Sequence, residues 1–145
     1  MQPFSFNLKG REVLFIGGGK VAERKLKAIL NEGCRITVIA SEITQEIAGS
    51  GANVILRNFE EPDITEKYAF VFCCTNDREA NGKAADICKK LRIPVNIADN
   101  PDASDFHTTA VIRSGDFVIC ISTEGKDPAK SKEMRKKLEN FIKNI

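Results

Sequence analysis

Three consecutive glycines, Gly17-Gly18-Gly19, separate an apolar run from an amphipathic one, and no other feature of the chain narrows its fold as much. Glu12 to Ile16 is rich in Val, Leu, Phe and Ile, the composition of a parallel strand buried on both faces. Beyond the glycines, Val21, Ala22, Leu26, Ile29 and Leu30 recur at helical spacing, and Glu23, Arg24, Lys25 and Lys27 fall on the other face. The sequence therefore predicts strand, tight turn and helix, with Gly33 ending the helix. The turn carries G-x-G-x-x-A as Gly17, Gly19 and Ala22. Gly17 permits the sharp turn, Gly19 keeps a Cβ out of the path of a pyrophosphate, and Ala22 lets helix pack on sheet. Free N–H groups and the positive helix end then face the phosphates, with Gly18, Lys20 and Val21 completing the cradle.

The following segments repeat this alternation. Arg35–Ala40, Val54–Leu56, Ala69–Cys74 and Pro94–Ala98 read as further strands. Ala80, Ala84, Ile87, Cys88 and Leu91 mark a second amphipathic helix. The fold class expected is α/β, a Rossmann-type doubly wound parallel sheet. After Asp99 the pattern changes. His107–Ile112 and Phe117–Ser122 look like a hairpin joined by Arg113-Ser-Gly-Asp116. Asp127 caps a last helix with Pro128 at its first position, and Met134, Leu138, Phe141, Ile142 and Ile145 line one face. Residues 1–105 are thus expected to form an NAD-binding domain, and 106–145 a hairpin and helix. So small a unit makes a poor core alone, so it should either pack on the sheet domain or, the favoured reading, meet a second copy of itself.

Composition limits the partners. At 145 residues and 42% apolar content the chain can bury one good core, and its net charge of +2 gives no global basic field for nucleic acid. No apolar run reaches the length of a membrane span, and the first ten residues lack a secretory pattern, so the cytoplasm is expected. Five cysteines, Cys34, Cys73, Cys74, Cys88 and Cys120, have no structural zinc spacing and read as reduced thiols, and no metal site is expected.

Other polar residues fall where such sheets bind ligands, at the carboxyl ends of strands. Ser41 stands where a carboxylate commonly holds the ribose 2′-hydroxyl, which weakens any preference for NAD over NADP. Glu42 beside it also reads as a solvated loop charge. Thr75 and Asn76, and Asp99 with Asn100, close the two strands beyond. Asp99 can serve as a proton acceptor or cap the Asn100-Pro101 turn.

The chain resembles the precorrin-2 dehydrogenases, which form the N-terminal part of siroheme synthases and also occur as separate proteins. The resemblance rests on Pro3-Phe-Ser-Phe-Asn-Leu-Lys-Gly10, Gly17-Gly-Gly-Lys-Val-Ala-Glu-Arg-Lys25, Val95-Asn-Ile-Ala-Asp99, Asp105-Phe106, Ile121-Ser-Thr-Glu-Gly125, Pro128 and Leu138-Glu139. It implies NAD-dependent oxidation of the tetrapyrrole precorrin-2 to sirohydrochlorin, with ferrochelatase activity in some relatives; the homodimer is expected from the unpartnered apolar stripe of the last helix. The resemblance assigns Asp99 to catalysis and places Ser122 and Thr123 near substrate. His107, the sole histidine, reads either as a proton shuttle near Asp99 or as a structural residue of its strand. The sequence departs from the family at Ser122-Thr-Glu-Gly-Lys-Asp-Pro128, where Glu124 replaces a glycine, and at Phe106-His-Thr-Thr-Ala110, which lacks a proline. Two other readings share the glycine turn or the ligand: a non-catalytic nucleotide-sensing domain and a chelatase that only binds tetrapyrrole and metal. The first usually keeps an acid at the position of Ser41.

Overall fold

The computed structural model describes residues 2–143. It contains two compact units, one spanning Phe4–Phe106 and the other running from His107 onward and including residues 2–3.

The first unit is built on five parallel strands: β1 (Glu12–Ile16), β2 (Arg35–Ala40), β3 (Asn53–Leu56), β4 (Tyr68–Cys73) and β5 (Val95–Ile97). They stand in the order β3-β2-β1-β4-β5, so the chain reverses direction across the sheet between β1 and β4. Helix α1 (Lys20–Ile29) and the short α2 (Gln45–Ala48) pack on one face, where Ala22, Leu26 and Ile47 meet Val13, Phe15 and Phe72. Helix α3 (Arg78–Leu91) covers the other, where Ala84, Ala85 and Cys88 meet Leu14, Ile16 and Val71. Burial on both faces explains why β1 reads as an unbroken apolar run. Cys73 and Cys74 belong to opposite faces, as strand alternation requires.

Several local expectations need correction. Helix α1 stops at Ile29 with Leu30 as its cap, and Gly33 lies in the turn beyond at φ +72°. Glu23 and Lys25, expected on the solvent face, are only 9% and 8% exposed. The Lys25 stem lies along apolar surface, and Glu23 is bonded by Lys20 and Lys27. The Lys25 ammonium sits 5.9 Å over the Phe72 ring, and desolvation holds its pKa below the usual lysine value. Helix α2 gave no periodic signal because it has only one turn, started by Thr44, whose Oγ1 accepts from the Ile47 N–H.

One edge of the sheet ends in a set of side-chain bonds. The outward N–H groups of β5 donate to Asp105 Oδ2 from Val95 (3.0 Å) and to Ser104 Oγ from Ile97 (2.8 Å). Asp105 N–H returns a bond to the Val95 carbonyl at 2.8 Å, and Asn96 Nδ2 donates to the Phe106 carbonyl at 2.7 Å.

The second unit is an antiparallel hairpin, β6 (Ala110–Ser114) and β7 (Phe117–Ile121), with helix α4 (Pro128–Lys143). The hairpin starts later than expected and closes on two residues, because Ser114 pairs with Phe117 and Gly115 adopts φ +54°. His107 therefore precedes the strand instead of lying in it. Along α4 the apolar stripe is open: Met134 is 45% and Phe141 65% exposed, as is Phe117 (74%) on β7. Ile145, expected to extend that stripe, lies outside the described residues.

Candidate cofactor crevice

The three glycines do different work. Gly17 adopts φ +104°, and a Cβ there would stand 2.6 Å from the Cys74 carbonyl carbon and 2.8 Å from the Thr75 nitrogen. A Cβ on Gly18 would meet the Glu42 carbonyl oxygen at 2.5 Å and Ile43 Cγ2 at 2.6 Å. Both are needed for the protein's own packing: one lets the turn cross the end of β4, the other lets it meet the loop after β2. Thr44 N–H donates to the Gly18 carbonyl at 3.0 Å and fastens that second contact. Gly19 differs. It has ordinary backbone angles, φ −81° and ψ −167°, and nothing lies within 4 Å of where its Cβ would be. Open space at Gly19 is what a ligand approaching the main chain requires.

Gly19 is also the N-cap of α1, and no side chain caps the helix there. The first N–H groups of α1, at Lys20, Val21 and Ala22, thus face that space without a side-chain acceptor, at the positive end of the helix dipole. Val21 is 39% exposed in the same turn. The exposed Lys20 bonds Glu23 Oε2 through Nζ at 3.0 Å, while Lys27 Nζ bonds Glu23 Oε1 at 3.1 Å. These two ammonium groups, Lys20 first, hold the Glu23 carboxyl down at about 2. Ser41 is exposed immediately after β2.

The ends of β4 and β5 are joined by a residue absent from the sequence expectations, Asn81 of α3. It is 1% exposed. Its Oδ1 accepts from Thr75 N (3.2 Å) and Thr75 Oγ1 (2.8 Å), and its Nδ2 donates to the Thr75 carbonyl (3.0 Å) and Asp99 Oδ1 (3.1 Å). Asp77 caps α3 by accepting from the Glu79 and Ala80 N–H groups, which fixes where Asn81 starts. A signal existed in the sequence: Asn81 occupies the buried stripe of α3 with Ala84, Ala85 and Cys88, where a polar residue needs buried partners. Thr75 is consequently committed to the scaffold through both main chain and hydroxyl, while Asn76 stays exposed. Asp99 Oδ2 lies 3.6 Å from Arg78 Nε, whose side chain is 87% exposed; such a pair is weakened by solvent.

Gly17, Gly18, Gly19, Lys20, Val21, Ala22, Ser41, Thr75, Asn76 and Asp99 all belong to the first unit, at or just beyond the carboxyl ends of β1, β2, β4 and β5. His107, Ser122 and Thr123 belong to the second. There the His107 ring packs against Gly125, 3.0 Å from where a Cβ would stand. Ser122 Oγ accepts from Glu124 N–H at 2.9 Å, and Thr123 Oγ1 accepts from Asp127 N–H at 3.0 Å and Ser131 Oγ at 3.3 Å. These bonds shape the turn into α4, in which Glu124 takes φ +54° where the family pattern has glycine.

The buried thiols offer little chemistry, since burial pushes Cys74 up to about 11 and Cys88 up to about 12. Among the described residues no three His, Cys, Asp or Glu side chains gather where they could hold a metal ion. No helix among them is long and apolar enough to cross a membrane.

Comparison with known proteins agrees with this geometry. Residues 4–110 match the NAD(P)-binding family model NAD_binding_7. The solved structure of SirC, a precorrin-2 dehydrogenase, superposes with a TM-score of 0.77 at 30% identity, covering 97% of this chain and 70% of that one. The chain belongs to the precorrin-2 dehydrogenase family. Siroheme synthases from Nitrosomonas europaea and Psychrobacter sp. (strain PRwf-1) are 31% and 35% identical over 144 residues. This member of the precorrin-2 dehydrogenase family spans about 30% of the length of those relatives. Its cofactor is NAD, and the crevice fits it: bare main chain at Gly19 and the uncapped start of α1 would hold the diphosphate.

Proposed function

We propose that the chain oxidises precorrin-2 to sirohydrochlorin with NAD⁺. The observation that carries this reading is the unbroken connection from the glycine turn to a carboxylate. Gly17 packs on the end of β4, Thr75 follows there, and Asn81 joins Thr75 to Asp99 at the end of β5. A carboxylate held beside a dinucleotide site is what a dehydrogenation asks of the protein, because removing two hydrogens releases one proton for each hydride. When bound, NAD⁺ supplies the hydride acceptor. Asp99 takes the proton or orients the substrate carbon that loses it, using Oδ2, since Oδ1 is engaged by Asn81. The alternative of a nucleotide sensor gives Asp99 and its buried support no task.

Ser122 Oγ accepts from the Glu124 N–H, which leaves its hydroxyl proton to donate to a substrate carboxylate, whereas Thr123 Oγ1 also shares a bond with the Ser131 hydroxyl. At Ser41 a hydroxyl can bond a ribose without repelling a 2′-phosphate, so discrimination between NAD and NADP should be mild. The open stripe of α4 and β7 suits a second copy of the chain, giving a homodimer. The free, reduced thiols suit a cytoplasmic setting.

The test is NADH formation, followed by absorbance, on mixing purified protein with precorrin-2 and NAD⁺. Sirohydrochlorin should appear in step with NADH. Asp99→Ala should lose turnover and still bind NAD; no product above background from the unmodified protein would overturn the assignment. Repeating the assay with ferrous iron asks whether the chain also inserts metal.

A further inference from the structure

We infer that Asn81 is a positioning residue: it sets the plane of the Asp99 carboxylate and links it to the main chain at the end of β4. The inference rests on reading Asp99 as the catalytic carboxylate.

Asn81 has two donor hydrogens and one acceptor oxygen, and all are used. Three of its bonds go to Thr75, at the main-chain N–H, the carbonyl and the hydroxyl. This is a small clamp on one residue of the crevice wall, made by a side chain that is 1% exposed. The fourth bond, Nδ2 to Asp99 Oδ1 at 3.1 Å, spans 18 residues of sequence and two strands of the sheet. The clamp accounts for the orientation of the amide: Thr75 N–H demands the oxygen on its side, which leaves the NH₂ for Asp99. A buried amide fixed by three bonds to the scaffold is a rigid donor, whereas the other neighbour of Asp99, Arg78, is long and solvated. Oδ1 is thus the anchored oxygen and Oδ2 the one left to face a reacting group. Proton transfer depends steeply on such orientation, so loosening the anchor should slow turnover without emptying the dinucleotide site.

Two substitutions separate this role from simple support of the fold. Asn81→Asp keeps an acceptor for the Thr75 N–H and hydroxyl but presents oxygen, in place of the NH₂, to both the Thr75 carbonyl and Asp99. Asn81→Ala removes every bond. With precorrin-2 and NAD⁺, both should lower kcat about ten- to a hundredfold, the range associated with a hydrogen bond to a charged group. The NAD dissociation constant of Asn81→Asp should stay within about threefold of the parent, since its Thr75 acceptor is retained. Placed in an Asp99→Asn background, Asn81→Ala should cause no further loss in the residual single-turnover rate, because a residue acting through Asp99 has nothing left to act on.

Wild-type kcat in Asn81→Asp would overturn the inference, as would equal fold-losses with and without Asp99. If Asn81→Ala proves unfolded by circular dichroism, Asn81→Asp runs the same cycle. Undiminished turnover in Asp99→Asn would instead refute the catalytic reading of Asp99 itself, an outcome distinct from normal turnover in Asn81→Asp alone.

Discussion

Gly17 and the carbonyl group of Cys74 are so close that a methyl group on the glycine would overlap it, at 2.6 Å from both carbon and oxygen. That contact joins the turn after β1 to the end of β4, the two strands between which the sheet order reverses. Ligands of open α/β sheets bind at such reversals, and here the crevice begins with a main-chain contact that only glycine allows.

Gly17→Ala and Gly19→Ala should therefore behave oppositely. The first puts a side chain at φ +104° against β4 main chain and should cost about 3 kcal/mol or more, with NAD binding lost alongside the fold. The second introduces a methyl group into open space at an allowed φ. Stability should change by about 1 kcal/mol or less, and in the favourable direction, yet NAD affinity should fall about tenfold or more because the methyl occupies the phosphate approach. Thermal melts and calorimetric titration of both variants check this contrast. Unchanged affinity in a folded Gly19→Ala protein would contradict it.

Acid should weaken the fold partly through Glu23. Its carboxyl ionises at about 2 in the folded chain against an ordinary value of 4.5. A depressed carboxylate contributes stability that is fully present above 4.5 and is lost as pH falls from there toward 2, since the unfolded chain takes up the proton first. Glu23→Gln should therefore lower the melting temperature at pH 7, with the gap from the parent narrowing through that acid window. Melting curves across pH 2–7 measure it, and a gap independent of pH would show that Lys20 and Lys27 give Glu23 no net stabilisation.

The outward apolar residues of α4 and β7 predict association. Phe117, Met134 and Phe141 are each more than two-fifths exposed, an arrangement that a second copy would bury. Sedimentation of the parent chain should give a dimer, and the double substitution Met134→Ser with Phe141→Ser should shift it toward monomer with the first unit still folded. A monomeric parent at high concentration would remove the argument.

What could be read in advance follows the physics of each signal. The alternating elements and the glycine turn were legible because buried parallel strands and amphipathic helices leave periodic patterns, and the five-strand sheet follows them closely. Gly17 was expected to make the sharp turn and Gly19 to admit the phosphate; the packing adds that Gly18 also meets the protein's own loop, at Glu42 and Ile43, while Gly19 faces open space. Asn81 escaped notice because its partners, Thr75 and Asp99, are brought to it only by tertiary folding, and pattern reading sees sequence neighbours. Lys25 was misplaced for a related reason: its charge suggested solvent, while its stem lies against Phe72. The loop is shorter than expected because Gly115, with its left-handed backbone, lets Ser114 pair directly with Phe117.

The bonds from Ser104 and Asp105 to β5 have a consequence for how this protein meets others. A strand on the outside of a sheet normally offers a ladder of vacant amides, which invites a foreign strand to zip on. On this side the vacancy is already filled by a hydroxyl and a carboxylate, so molecules crowding together find no template there for growing a shared sheet.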